Sequence, residues 1–306
     1  MTGRRRQSGA AILIALMVVG MVALLASSIL WRQELWIADL DMQRQRTASR
    51  LLARSGTDWA RAILAEDGRF SAIDHPGEQW ASKVPPAPLD GGELGGFLKD
   101  QQGKWNLNNL VRQGKADPNQ FEIFQRLLEG AGLPVELAFA LRDWIDADSE
   151  RDTSAGAEDE YYLSLPLPHR AANGLVSHVD ELRSVRGFSA EIIERLRPLV
   201  SALPEFTPVN LNTAPRPVLA ALLRRATDAD LDTLVSRRDH LPFRDLADFR
   251  GTLQKSAIMF EEETLTTASR YFLATITARQ RDSVIELSCM IRRQAGRTEI
   301  VWQRYL

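Results

Sequence analysis

Between Asp143 and Glu160 the chain gathers Asp146, Asp148, Glu150, Asp152, Glu158 and Asp159. Carboxylates this close repel one another unless water or a hard cation separates their charges. Ca²⁺ suits such a set because it takes about six to eight oxygen ligands. The stretch "DADSERDTSAGAE" partly mimics an EF-hand loop. It departs from one at the sixth place, where Arg151 replaces glycine, and its closing glutamate, Glu158, falls one residue late. For a bridged cation the candidate ligands are Asp146, Asp148, Glu158 and Asp159, with Asp143 one helical turn before Asp146. Two other chemistries fit the same residues. One is a solvated acidic loop, the common fate of a charge run. The other is a glycosidase-like carboxylate pair, against which stand the crowding of the acids and the lack of an aromatic sugar platform.

A second constellation is "VNLNTAPRPVLAALLRRATDADLDTLVSRRDHLPFRDLADF". It resembles helix-hairpin-helix DNA-binding modules, which open on a similar Asn-rich run and later carry Pro-Phe. Their phosphate contact needs a glycine-rich hairpin whose N–H groups approach the anion. Here "RRATDADL" has no glycine and places two aspartates where the phosphate would lie. Arg224, Arg225, Arg237 and Arg238 supply local positive charge of the kind found on solvated helix faces. The expectation is a retained fold without DNA binding, with Asn210 and Asn212 as caps and turn formers.

Other reactive residues are sparse. Cys289 is the single cysteine, which excludes an internal disulfide and a thiolate zinc site. With Ile285, Leu287 and Ile291 it alternates onto one face of a strand, as a buried small hydrophobe does. The histidines, His75, His169, His178 and His240, have no ligand-like spacing. A formal net charge of −2 gives no electrostatic case for a protein dedicated to polyanions.

The elements that must position these residues begin with an apolar run. Ala10 to Trp31 is 22 residues without a charge, roughly 33 Å of helix against a hydrocarbon core of about 30 Å. Arg4, Arg5 and Arg6 precede it, which places the amino terminus in the cytoplasm and the remainder outside. The run is too long for a secretory signal, and a cut after Ala26 would put Leu24 at the −3 place. Helical patterning continues beyond the membrane, with Trp36, Leu40, Thr47, Leu51, Trp59 and Ile63 as the expected apolar stripe.

Farther on, "HPGEQWASKVPPAPLDGG" reads as loop, and Asp100 to Gly103 as the turn of a hairpin near Phe97–Asn106. "SRYFLATITARQ", "SVIELSCMIRRQ" and "TEIVWQRYL" read as three antiparallel strands. Helices are expected between, over "NQFEIFQRLLEGAG", "LPVELAFALRDWID", "HVDELRSV", "SAEIIERLRPLVSAL", "APRPVLAALLRRA", "DADLDTLVSRRD" and "FRDLADFRG".

The basic leader ending in Ser8 and Gly9 before the apolar run resembles that of type IV pilins and their secretion-system relatives. With "GKWNLNNL", "RDWIDADSE", "GAEDEYYLS", "VDELRSVRGF" and "VNLNTAPRPVL", the resemblance sharpens to the general secretion pathway protein K family, the large minor pseudopilins of type II secretion. The resemblance implies an α+β fold: a pilin-like helix packed on an antiparallel sheet, with an all-α, helix-hairpin-helix or SAM-like insertion between strands. The corresponding division is a leader at 1–9, a helix at 10–65, an α/β domain at 66–111 and 266–306, and the insertion at 112–265. It also implies a prepilin peptidase cut between Gly9 and Ala10 with N-methylation of Ala10, and calcium on the acidic cluster. Pilins carry Glu at mature position five, where it meets the amino terminus of the subunit above; here Ile14 stands there. A carboxylate in lipid is kept only where it has a partner, so Ile14 points to a subunit with nothing above it. The implied partners are minor pseudopilins I and J, the peptidase and the inner membrane, not nucleic acid. Gly20 is the expected site of close helix packing. A structural role follows, without catalysis; a membrane-anchored DNA-binding protein is the alternative.

Overall fold

A computed structural model describes residues 7–89, 91–151, 154–253, 257–281 and 283–306. Residues 1–6 of the expected leader and Asp152 of the acidic run lie outside them. The chain opens with one 64-residue helix, α1 (Gln7–Phe70), five residues longer at its carboxyl end than its sequence pattern suggests. Its first half carries apolar side chains exposed on every side, among them Leu13, Ile14, Leu16 and Leu24. Its second half packs on a five-stranded antiparallel sheet of order β1 (Val84–Leu89), β2 (Gly92–Asp100), β9 (Tyr271–Gln280), β10 (Ser283–Gln294) and β11 (Arg297–Tyr305).

The packing stripe differs from the expected one. Leu52, Ala53, Ala60 and Leu64 are buried, whereas Trp36, Leu51 and Trp59 face outward. Small residues win the sheet side because they let the helix axis come close. At Gly56 a Cβ would stand 2.6 Å from Ile276 Cγ2, so glycine is required by approach rather than by backbone angle. The opposing sheet face supplies Phe272, Ala274, Ile276, Leu287, Cys289 and Ile291, which confirms the alternation read around Cys289.

The hairpin near Phe97–Asn106 does not form. Instead β1 and β2 pair, with Leu89 opposite Gly92, so a stretch that reads as loop is a strand. Three prolines make β1 look unlike a strand, yet it lies at the sheet edge, where missing N–H donors cost little. Past Gly103 the chain leaves the sheet, and the three carboxy-terminal strands form as expected.

Between β2 and β9 sits the insertion, and it has two parts. The first runs from β3 (Trp105–Asn106) through the small hairpin β4 (Val111–Arg112) and β5 (Lys115–Ala116). Then come α2 (Pro118–Gly130), α3 (Leu137–Ile145), α4 (Asp159–Leu163) and α5 (Ala190–Leu196), closing at β6 (Val200–Ser201), which pairs in parallel with β3. The second runs from β7 (Val209–Asn210) through α6 (Arg216–Leu222), α7 (Asp228–His240) and α8 (Leu246–Thr252) to β8 (Leu265–Thr266), parallel to β7. Two expected helices shorten. Val179–Ser184 is a 3-10 turn, and α5 stops before Pro198, after which the chain extends into β6.

A buried polar knot fixes the insertion to the sheet. Asp100 accepts from Ser269 Oγ at 2.7 Å and Asn210 Nδ2 at 3.2 Å. Arg293 donates to Asp74 at 2.6 Å and to Asp67 at 2.5 Å. Burial pushes the Asp74 carboxyl up to about 6, and Arg293 holds it partly down.

Candidate functional site

The acidic cluster forms where α3 ends and the chain loops to α4. Leu137, Leu141, Trp144 and Ile145 bury one face of α3, and this draws Asp143, on the same helix, fully out of solvent. Trp144 and Tyr162 meet edge-to-face at 5.0 Å behind the cluster. Asp146 caps the carboxyl end of α3, Asp148 follows it, and Glu158 precedes α4.

One carboxylate oxygen from each of Asp146, Asp148 and Glu158 lies within 4.8 Å of the others. Asp146 and Glu158 are buried and Asp148 exposed, so the group opens to solvent on one side. Both oxygens of Glu158 and Oδ1 of Asp146 are buried without a hydrogen bond, while buried Asp143 lies against Arg142 at 3.9 Å and the Ala157 N–H. Desolvation pushes Asp143 and Asp146 up to about 6, with Arg142 opposing this for both. Glu158 reaches about 7, because burial acts together with the charges of Asp143, Asp146 and Asp148. Orphaned buried oxygens are costly. A hard divalent cation would satisfy them, and the donor set is all oxygen, as Ca²⁺ requires.

Asp159 does not join this group. Its Oδ1 accepts from the Ala171 N–H at 2.9 Å, and Arg170 lies 3.8 Å from its other oxygen. It is spent on holding the loop that follows α4. Residues that the spacing of acids did not reveal shape the site. At Gly156 a Cβ would lie 2.0 Å from Asp143 Oδ2, so only glycine lets the loop cross there. Arg186 donates to the Gly156 carbonyl at 2.9 Å, and Asn173 to the Asp148 carbonyl at 2.8 Å. The arginine lies in "VDELRSVRGF" and the glycine in "GAEDEYYLS", so the signal was the co-occurrence of those segments with the acidic run.

Asp67, Asp74 and Glu78 also converge. There Arg293 occupies the aspartates, and Glu78 accepts from Trp80 Nε1 at 2.8 Å, so each acid of this cluster already has a partner within the fold.

In the helix-hairpin-helix-like region the link from α6 to α7 is pinned by Arg224, whose N–H bonds the Met259 carbonyl at 2.9 Å. Arg237 pairs with Asp248 at 2.9 Å, and Arg238 donates to the Leu211 carbonyl at 2.8 Å. Asn210 Oδ1 accepts from the Asn212 N–H at 2.9 Å, the turn-forming role expected of it. Asn212 then clasps the backbone of Phe243, accepting at 2.8 Å and donating at 3.0 Å.

At the amino-terminal end, Gly9 and Ala10 both lie within α1. Ile14 is 63% exposed, and a Cβ at Gly20 would stand in open space. This half of α1 is long and apolar enough to cross a membrane.

Family models for type II secretion system protein K match residues 103–205 and 209–268, which correspond to the two parts of the insertion. The type II secretion system protein K of Pseudomonas aeruginosa is 33% identical, covering 97% of this chain and 92% of its own. The chain belongs to the type II secretion system protein K family. The family protein of Klebsiella pneumoniae is 30% identical across 98% of this chain and 97% of its own. A solved GspK-GspI-GspJ complex from enterotoxigenic Escherichia coli matches with a TM-score of 0.72 and 23% identity, over 86% of this chain and 98% of that one. The mixed fold and the place of the helical insertion between strands are those of the family, and the protein is a minor pseudopilin of the secretion system.

Proposed function

We propose that this minor pseudopilin is the tip subunit of the pseudopilus, anchored in the inner membrane by Ala10–Trp31 and carrying calcium on Asp146, Asp148 and Glu158. The observation that carries the reading is the joining of two unlike parts. The amino-terminal half of α1 exposes apolar side chains all round, as a helix among lipids and neighbouring helices must. The other end bears a large insertion that would obstruct a further subunit above it. Ile14 fits the same end position, since a carboxylate there would have no partner.

In this reading the amino terminus is cytoplasmic, the sheet and insertion are periplasmic, and prepilin peptidase cuts between Gly9 and Ala10, methylating Ala10. The open space at Gly20 admits a neighbouring helix closely. Minor pseudopilins I and J are the partners, as in the complex whose K subunit has the same fold. Calcium holds the acidic loop in shape, and the role is structural rather than catalytic. Asp143 lies beside the ligands and adds negative charge.

The test is intact mass and amino-terminal sequencing of full-length protein from membranes with and without prepilin peptidase. A peptidase-dependent start at methylated Ala10, lost in Gly9→Ala, is the expected result. Persistence of Met1 in both, or a cut beyond Trp31, would sink the pilin-like reading.

A further inference from the structure

Away from the acidic cluster, an open cleft of about 550 Å³ separates the sheet from the first part of the insertion. Leu273, Met290 and Trp302 line its sheet side, and His178, Val179 and Arg197 line it from the insertion. Lys99, at the end of β2, and Lys104, in the turn that leaves the sheet, stand at its edge.

Its charges do not balance. Asp180 is engaged by Arg197 at 2.6 Å and by Arg304 at 3.7 Å. Glu194 is engaged by Arg197 at 2.8 Å. Among the described residues, neither Lys99 nor Lys104 has a carboxylate within ion-pair distance. Lys104 donates to the Arg197 carbonyl at 2.9 Å. Burial lowers its amine to about 8, and the charges of Lys99 and Arg197 push the same way. The nearby Asp100 attracts it less, being enclosed by Thr213, Ser269 and Asn210.

A partly desolvated ammonium group is complemented by a carboxylate. The cleft is also far larger than one small anion needs, and its floor is apolar, with Met290 buried and the Trp302 indole half-exposed. Cationic edge and apolar floor together match a peptide rather than a free ion.

We propose that this cleft binds an acidic, partly apolar peptide segment of a partner protein, its carboxylates on Lys99 and Lys104 and its apolar side chains against Met290 and Trp302. None of these residues belongs to the acidic cluster, so the inference is independent of calcium.

The test uses the full-length protein in detergent and the acetylated peptide Glu-Leu-Glu-Leu as probe. Acetylation of individual lysines by an amine-reactive ester is followed by mass spectrometry, with exposed Lys83 and Lys115 as internal controls. The peptide is expected to slow modification of Lys104 about tenfold and leave the controls unchanged, while the Gln-Leu-Gln-Leu analogue protects nothing. Lys99→Gln, at an exposed position, is expected to raise the half-protecting concentration about tenfold, the effect of one contact of about 1.4 kcal/mol. Equal protection by inorganic phosphate at matched ionic strength would make this a small-anion site and overturn the peptide assignment. Absence of protection, or unchanged protection in Lys99→Gln, would overturn the site.

Discussion

Residues 105–201 and 209–266 follow one plan and part company at one link. Each opens with an Asn-Leu-Asn run on a short strand, at Asn106 and at Asn210. In each, the first asparagine accepts from the N–H two residues on, at 3.1 Å in one and 2.9 Å in the other. The second asparagine then clasps a distant backbone. Asn108 holds both polar groups of Val176 at 2.8 Å, as Asn212 holds those of Phe243. Two helices follow in each part, and each closes on a parallel strand. The difference lies between the second helix and the clasped residue. Only Leu241 and Pro242 separate α7 from Phe243, whereas residues 146–175 separate α3 from Val176. That longer excursion carries the acidic cluster. The short link closes on its own contacts, whereas the long one, full of carboxylates, is held by Arg186 and Asn173 and, in the proposed reading, by calcium.

The clasps should matter most, and in both parts. Asn108→Ala leaves both polar groups of Val176 unpaired and the Leu203 carbonyl with only the 3.5 Å contact to Asn106 Nδ2, and is expected to cost about 4 kcal/mol; Asn212→Ala leaves two groups unpaired and should cost about 3 kcal/mol. Urea unfolding measures both, and losses below about 1 kcal/mol would break the parallel.

Glycine substitutions should separate the parts. Gly156→Ala drives a methyl into the Asp143 carboxylate and is expected to cost about 2 kcal/mol, while Gly251→Ala, in open space within α8, should stabilise by about 0.5 kcal/mol. Thermal melts of the two variants would show shifts of opposite sign; equal shifts would deny that the first loop is the tightly determined one.

In the proposed reading calcium removal acts on the first part, and pH sets how strongly. Without cation, Asp146 and Glu158 have folded-state pKa values raised to about 6 and about 7. Their contribution to stability is therefore full below about pH 4, where both states are protonated, and is lost as pH rises through 6 to 7. With calcium bound the carboxylates are held ionised, so the gap between the Tm in calcium and in chelator should widen from pH 5 to pH 8. Asp146→Asn with Glu158→Gln should close that gap at every pH. A gap that is constant with pH, or that survives the double substitution, would remove the cation from these residues.

Asp159→Asn should have the smallest effect. It weakens one bond to the Ala171 N–H, for a loss of about 1 kcal/mol, with calcium titrations by calorimetry unchanged. A large fall in affinity would return Asp159 to the ligand set.

Much of this was legible in the sequence wherever a pattern is local. The apolar run of α1, the alternation through Leu287, Cys289 and Ile291, and the helices α2 and α7 follow from spacing, because helix and strand periods act residue by residue. The acids were visible as a group for the same reason. Tertiary contact decided the rest. The sheet selected the small-residue face of α1 over its Leu51 and Trp59 face, since closeness of backbones outweighs the size of single side chains there. An edge position made a strand of a proline-rich segment. Membership of the carboxylate group was likewise settled in space: the loop geometry brought Asp148 and Glu158 to Asp146, burial of α3 left Asp143 beside them, and Ala171 took Asp159. Sequence alone determined which residues could repel or share a cation. Only the packed chain, which sets desolvation and distance, decided which of them converge.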